Sequence, residues 1–176
     1  QILFINLVTD VLPALALGMS EGNPGIMLHK PRNIHEPILD RKRWKATFFY
    51  AVVIAATSIG AVLFSHATVH QTENWNPGLC NNIVFFTLIF SQLLHSLNMG
   101  SSHTSFFRSE VFRNKYVWGS IFLSLAIVTT AYAYMPLRDI LSLGRMSASD
   151  WIISASASVA SLLLIQAGRR IKIIHQ

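Results

Sequence analysis

QILFINLVTDVLPALALGM, residues 1–19, is an apolar run with a single acid, Asp10, at its centre. About 20 such residues are what a helix needs to cross a bilayer. No other apolar run in the chain holds a carboxylate. Glu21, Glu36, Asp40, Glu73, Glu110, Asp139 and Asp150 lie in connecting loops or at segment edges. An acid at bilayer depth costs roughly 3 kcal/mol on insertion scales, so an intramembrane acid is read first as a functional group. Asn6 and Thr9 precede Asp10, and Pro13 follows it. On a helix, positions 6, 9, 10 and 13 fall on one stripe. Three oxygen-bearing side chains then point the same way, beside a proline that leaves backbone carbonyls without an amide. Those are the parts of a hard-cation site.

Outward from this run the chain stays apolar. It is 52% hydrophobic and only 12% charged, where a soluble domain carries about a quarter charged. Five candidate spans follow from the apolar runs: 1–19, 46–66, 82–99, 117–135 and 151–168. The expectation is an all-α membrane protein, a bundle of about five transmembrane helices with no sizeable soluble domain. The chain opens at Gln1, already inside the first run, and so reads as the C-terminal part of a larger protein. The opening does not read as a signal peptide, because it lacks a basic start and carries Asn6 and Asp10 where apolar residues belong. The single cysteine, Cys80, excludes an intrachain disulfide and a cysteine-based zinc site. It reads as a small packed residue.

The net charge of +6 invites nucleic acid as a partner, but its distribution argues for the lipid bilayer instead. Lys30, Arg32, Arg41, Lys42, Arg43 and Lys45 crowd the first loop. Arg108, Arg113 and Lys115 follow in the third, and Arg169, Arg170 and Lys172 in the tail. The loop at 67–81 has no Lys or Arg, and the loop at 136–150 has only Arg138 and Arg145. Positive loops stay inside, so the rich loops and the C-terminus are expected to be cytoplasmic. Trp44, Trp118, Tyr132, Tyr134 and Trp151 sit near span ends and are expected to be interfacial anchors.

Ala55, Ala56, Ser58, Gly60 and Ala61 in the second span allow close helix approach. So do Ser154, Ser156, Ser158 and Ser161 in the fifth. The third span is the second polar one. Gln92 and His95 share a face, with Ser91, Ser96 and Asn98 nearby. Two readings compete for Gln92: a carbonyl oxygen lent to an ion, or a hydrogen bond that holds the bundle together. His95 suits zinc better than calcium or magnesium, which prefer oxygen.

The run NLVTDVLPALALG, residues 6–18, resembles the sixth membrane helix of type II P-type cation pumps, and most closely the sarcoplasmic-reticulum-type calcium ATPases. Their pattern is close to NLVTDGLPATALG. Ile26-Met27 and Pro31-Arg32 are similar to the IM-x-x-PPR stretch that follows in that family. The spacing of the later spans is similar to that of the last five membrane helices of such pumps. The resemblance implies that Asn6, Thr9 and Asp10 coordinate the transported Ca2+, with Pro13 favouring helix unwinding.

Two positions depart from the family pattern. Its glycine after the aspartate is Val11 here, which puts more of any unwinding on Pro13. Aligning Leu97-Asn98 places Gln92 where two-ion calcium pumps carry a glutamate. A neutral amide supplies oxygen without charge, so the expectation is one Ca2+ per cycle at Asn6 and Asp10, with Thr9 peripheral and Gln92 a minor ligand. A carboxylate left without its cation in a low-dielectric site favours the protonated form, so proton counter-transport follows as an expectation.

The resemblance also implies ATP, Mg2+ and a phosphorylated aspartate in the parent chain. The DKTG motif, the nucleotide domain and two further membrane helices of the site are not in these residues. No catalytic residue is expected here, and this segment alone hydrolyses nothing. Its expected partners are the upstream helices and the phosphorylation domain, against which the loop 20–45 would dock. A bacterial plasma membrane is the expected location. Other cations (Mg2+, Mn2+, Na+ or H+) and a non-enzymatic channel or scaffold subunit are the alternatives.

Overall fold

The computed structural model describes residues 1–19, 40–71, 75–99 and 110–170. The first-loop reading, with Glu21, Ile26-Met27, Pro31-Arg32 and Glu36, lies outside the described residues, as do Glu73, Arg108 and Lys172. Among the described residues every regular element is helical.

The helices begin where polar side chains can cap them. Asp40 accepts the amide of Arg43 at 2.8 Å and starts α2, Arg41–Thr68. Asn76 accepts the amides of Gly78 and Leu79, and Pro77 fills the first helical position, starting α3, Pro77–Ser96. A 3₁₀ turn, Leu97–Met99, completes α3. A single turn, α4, covers Glu110–Arg113. Asn114 caps α5, Lys115–Ala133, through the amide of Tyr116. A short α6, Met135–Ile140, leads to α7, Ala148–Arg170.

Four helices, Arg43–Thr68, Pro77–Met99, Lys115–Ala133 and Ala148–Arg170, are long and apolar enough to cross a membrane. The first apolar helix, α1 (Ile2–Gly18), is shorter. At 1.5 Å per residue α2 is about 42 Å long, more than the hydrocarbon core, so it tilts or projects from it. Large apolar side chains such as Leu3, Phe48, Phe122, Ile140 and Ile152 stand exposed around the bundle. That surface suits lipid, where no water is present to penalise it.

Three apolar clusters join the helices. Val8 of α1 packs with Phe85, Phe86, Ile89 and Leu93 of α3 and with Val128 and Ala131 of α5. Ala16 packs with Leu97, Val117 and Ile121. α1 therefore lies against both α3 and α5. Ala61, Val62, Ile83 and Ile153 tie α2, α3 and α7 together. α7 approaches α2 closely at Gly168, where an added Cβ would fall 2.7 Å from the Phe49 ring.

The aromatics expected at the interface differ in what they touch. Trp44 and Tyr134 are exposed, as anchors should be. Tyr132 and Trp151 instead pack on Phe86, with centroids 5.6 and 4.4 Å away, and the Tyr132 hydroxyl accepts the amide of Met146 at 3.0 Å. Both half-buried rings thus lean on the buried ring of Phe86 as well as standing near span ends. Trp118 is divided between the roles: its ring meets Phe122, and its indole donates to the Phe112 carbonyl at 2.8 Å.

Candidate functional site

α1 is not a uniform α-helix. Ile2–Asn6 and Leu12–Gly18 are α-helical, and Leu7–Val11 between them is a π turn. A π turn moves each amide one carbonyl further back, so it leaves a carbonyl without its α-helical donor. Pro13, the second residue after the turn, has no amide to give to the preceding turn. One of the carbonyls concerned is taken from outside the helix: Ser124 of α5 donates to the Val8 oxygen at 2.9 Å, in a buried contact. The local sequence explains the distortion. Val8, Thr9 and Val11 are β-branched and crowd an α-helix, and the proline removes the bond that would pull it straight.

The π turn also divides the stripe expected at positions 6, 9, 10 and 13. Thr9 and Pro13 are buried against the bundle, whereas Asn6 and Asp10 are exposed. Thr9 and Asp10 are nevertheless brought together. The Thr9 hydroxyl lies 3.2 Å from Asp10 Oδ1 and 2.9 Å from the Ile5 carbonyl oxygen, and its one proton serves either. Asn6 and Asp10 share the outward side one turn apart. An exposed carboxylate on an apolar helix is costly in a bilayer unless a polar group or an ion meets it.

Gln92 sits one turn beyond Ile89 on α3, and Ile89 packs in the same cluster as Val8. Its Oε1 is buried and has no hydrogen-bond partner among the described residues. The same holds for His95 Nδ1 and for both amide atoms of Asn98. No contact places Gln92 on Asp10. The His95 ring lies tilted against the Tyr50 ring of α2, with centroids 4.7 Å apart. The Arg169 guanidinium donates to the Asn98 carbonyl at 2.6 Å and so closes the end of α3 from α7. Among the described residues, no group of three or more His, Cys, Asp or Glu side chains is placed to hold a metal. The oxygens on α1 are a partial donor set, too few alone for the six or more that Ca2+ prefers.

A second polar cluster escaped the sequence reading. Asp150, taken there as an edge residue, is fully buried. It accepts from Ser65 Oγ at 2.6 Å, from Ser147 Oγ at 2.8 Å and from the Ser147 amide at 3.0 Å, and it lies 3.2 Å from His70 Nε2. The Asp150 amide in turn donates to Ser147 Oγ at 3.2 Å. This is a reciprocal capping box at the start of α7, and the string Ser147-Ala148-Ser149-Asp150 spells it. The cluster joins the end of α2 to the start of α7.

The family described as "Cation transporting ATPase, C-terminus" matches residues 1–171. A calcium-transporting ATPase of Bacillus subtilis is 31% identical over 166 residues, which cover 94% of this chain and 18% of that protein. A calcium-transporting ATPase of Listeria monocytogenes is 32% identical over 168 residues, with 94% and 18% covered. A third, from Bacillus cereus, is 29% identical over 175 residues, covering 93% of this chain and 20% of its own length. The chain thus spans about a fifth of the length of these relatives.

Proposed function

This chain belongs to the family of cation-transporting ATPase C-terminal regions, and we propose that it forms part of the ion site of an ATP-driven calcium pump. In this reading Asp10 and Asn6 ligate the ion, with one Ca2+ carried per cycle. Thr9 is peripheral: its hydroxyl orients the Asp10 carboxylate. Gln92 is a minor oxygen donor, and Pro13 keeps the π turn open. Segments outside this chain complete the coordination and supply ATP hydrolysis with Mg2+. The basic loops and the C-terminus face the cytoplasm of a bacterial cell.

One observation carries the reading. An exposed carboxylate with its own hydroxyl donor stands on a distorted apolar helix, next to a proline. The calcium-transporting relatives support the choice of ion. The α1 donors are all oxygen, which favours a hard cation over a soft one.

The test is phosphoenzyme formation from ATP by the intact parent protein, titrated with calcium, beside an Asp10→Asn variant. We expect calcium-dependent phosphorylation, with half-saturation raised about tenfold or more in the variant, equal to ~1.4 kcal/mol or more. Phosphorylation indifferent to calcium would transfer the reading to another cation. Absence of phosphoenzyme with every cation would favour a non-enzymatic subunit. Equilibrium binding of two Ca2+ per pump would overturn the single-ion proposal. Proton counter-transport predicts a pH change on the far side of sealed vesicles during turnover, and an unchanged pH would remove it.

A further inference from the structure

α2 and α7 pack antiparallel and touch at both ends. Ser65 meets Asp150 at one end, and Gly168 meets the Phe49 ring at the other, where an added Cβ would fall 2.7 Å away. α3 lies to one side of this pair. Tyr50, one residue after Phe49, faces the His95 ring of α3 at 4.7 Å. Arg169, one residue after Gly168, donates to the Asn98 carbonyl of α3. The side away from α3 is therefore reached by stepping the other way on both helices. At about 100° per residue, it falls to Arg41, Lys45, Phe48 and Val52 on α2 and to Leu164 and Ala167 on α7. All six are exposed, Phe48 at 72%, Leu164 at 52% and Val52 at 48%.

Two packed helices leave a furrow on each side of their line of contact. α3 occupies one of these furrows. The other has apolar walls and two cations at one end. From Arg41 to Val52 its α2 wall is about 16 Å long, close to the ~15 Å depth of one leaflet's hydrocarbon. The cations stand where α2 begins, and Trp44 is exposed beside them, as an interfacial ring should be. Asp40, the neighbouring acid, is engaged in capping α2 through the Arg43 amide. A longer chain has another place to add helices. α1 carries the exposed Asn6 and Asp10 and packs against α3 and α5, whereas this furrow opens away from α3. Helices that complete the ion site approach α1 and leave the furrow to lipid, a step that rests on the ion-site reading.

We propose that the outer furrow between α2 and α7 binds an anionic phospholipid, with its headgroup phosphate on Arg41 and Lys45 and an acyl chain along Phe48, Val52 and Leu164. Each half of the lipid meets its own chemistry. Basic side chains at the membrane surface attract anionic headgroups, and their apolar stems can lie along the furrow while the charges reach the phosphate. Below them the walls offer only apolar contact for the depth of a leaflet. A zwitterionic lipid would bring its own cation to the same two charges, so the anionic headgroup is the better fit.

Native mass spectrometry of the intact parent protein in detergent, with phosphatidylglycerol or phosphatidylcholine added, is the test. We expect phosphatidylglycerol to be retained in preference to phosphatidylcholine. The double variant Arg41→Gln, Lys45→Gln should hold phosphatidylglycerol about tenfold more weakly, with phosphatidylcholine unaffected. Ala167→Trp fills the furrow without touching the charges and should weaken retention as well. Arg170→Gln is the control. Arg170 is also exposed, but it stands two residues past Gly168 and so about 200° from the contact with α2. Its variant should retain the lipid fully. An equal loss from Arg170→Gln would mean diffuse surface charge and overturn the site, as would the absence of any preference for phosphatidylglycerol. Should a variant fail to fold, a cryo-EM map of the wild-type protein in phosphatidylglycerol nanodiscs decides. Acyl-chain density in the furrow supports the proposal. An unoccupied furrow, or one filled by a helix of the parent chain, a second copy or another protein, overturns it. Retention is read without ATP or calcium, so its failure leaves the phosphoenzyme titration, and the ion site, to stand or fall separately.

Discussion

Asp150 shows how much one side chain can hold at the end of a helix. Its carboxylate carries the cap of α7 and, through Ser65 and His70, ties that cap to the end of α2. Ser147→Ala removes the hydroxyl half of the capping box, leaving the backbone amide on the Asp150 carboxylate, and is expected to lower stability by about 1 kcal/mol, read as a lower denaturation midpoint of the intact protein. Ser124→Ala would leave the buried Val8 carbonyl without its donor. A loss of about 1–2 kcal/mol is expected, together with weaker cation-dependent phosphorylation, because the change is felt one residue from Thr9. In the sequence Asp10 stands out, because a carboxylate inside an apolar run is conspicuous by composition alone. Asp150 does not, although its string spells a capping box. An acid at a segment edge is ordinary until the fold brings Ser65 and His70 onto it from 80 or more residues away.

At the scale of elements, the apolar runs announced where helices lie but not which side of each faces inward. Small residues illustrate this. Of the set read as packing residues in α2, Ser58 and Ala61 are buried while Ala55, Ala56 and Gly60 are exposed. The buried stripe is Ile54, Ser58, Ala61 and Ser65, which hydropathy hides because the lipid side is just as apolar. The π turn in α1 was equally hidden. An α-helical wheel puts positions 6, 9, 10 and 13 together, and a change of helical register divides them. Pro13→Ala would return an amide to the turn and favour the regular helix. Half-saturation by the transported cation should then rise about tenfold, equal to ~1.4 kcal/mol, in the phosphoenzyme titration. Where α7 meets α2, Gly168→Ala would drive a methyl into Phe49. Overpacking of that kind costs about 1–3 kcal/mol, and a thermal melt should show it.

For the whole molecule, the count and length of the apolar runs led to an all-helical membrane bundle, and among the described residues the structure has that architecture. What they could not give was the pairing of helices. α2, α3 and α7 form one closely packed group, and α1 lies outside it against α3 and α5. With a proline and a register change in its middle, α1 keeps fewer of its own backbone bonds than α3 does. Hydrogen exchange on the intact protein should show faster exchange in α1 around residues 8–13 than in α3 around residues 85–93. Equal protection of the two would count against this division of the bundle.

The π turn is also an angular offset. Each residue of an α-helix advances the side chains by about 100°. A slip of one residue at Leu7–Val11 therefore resets the azimuth of everything before it against everything after it. Ala16 is seated in its cluster with Val117 and Ile121, and Gln1 is moored to the Leu141 carbonyl and to Asn81. Between those two moorings the halves of the helix stand at azimuths that an unbroken α-helix would not give, and the outward side of Asn6 and Asp10 is set by that offset.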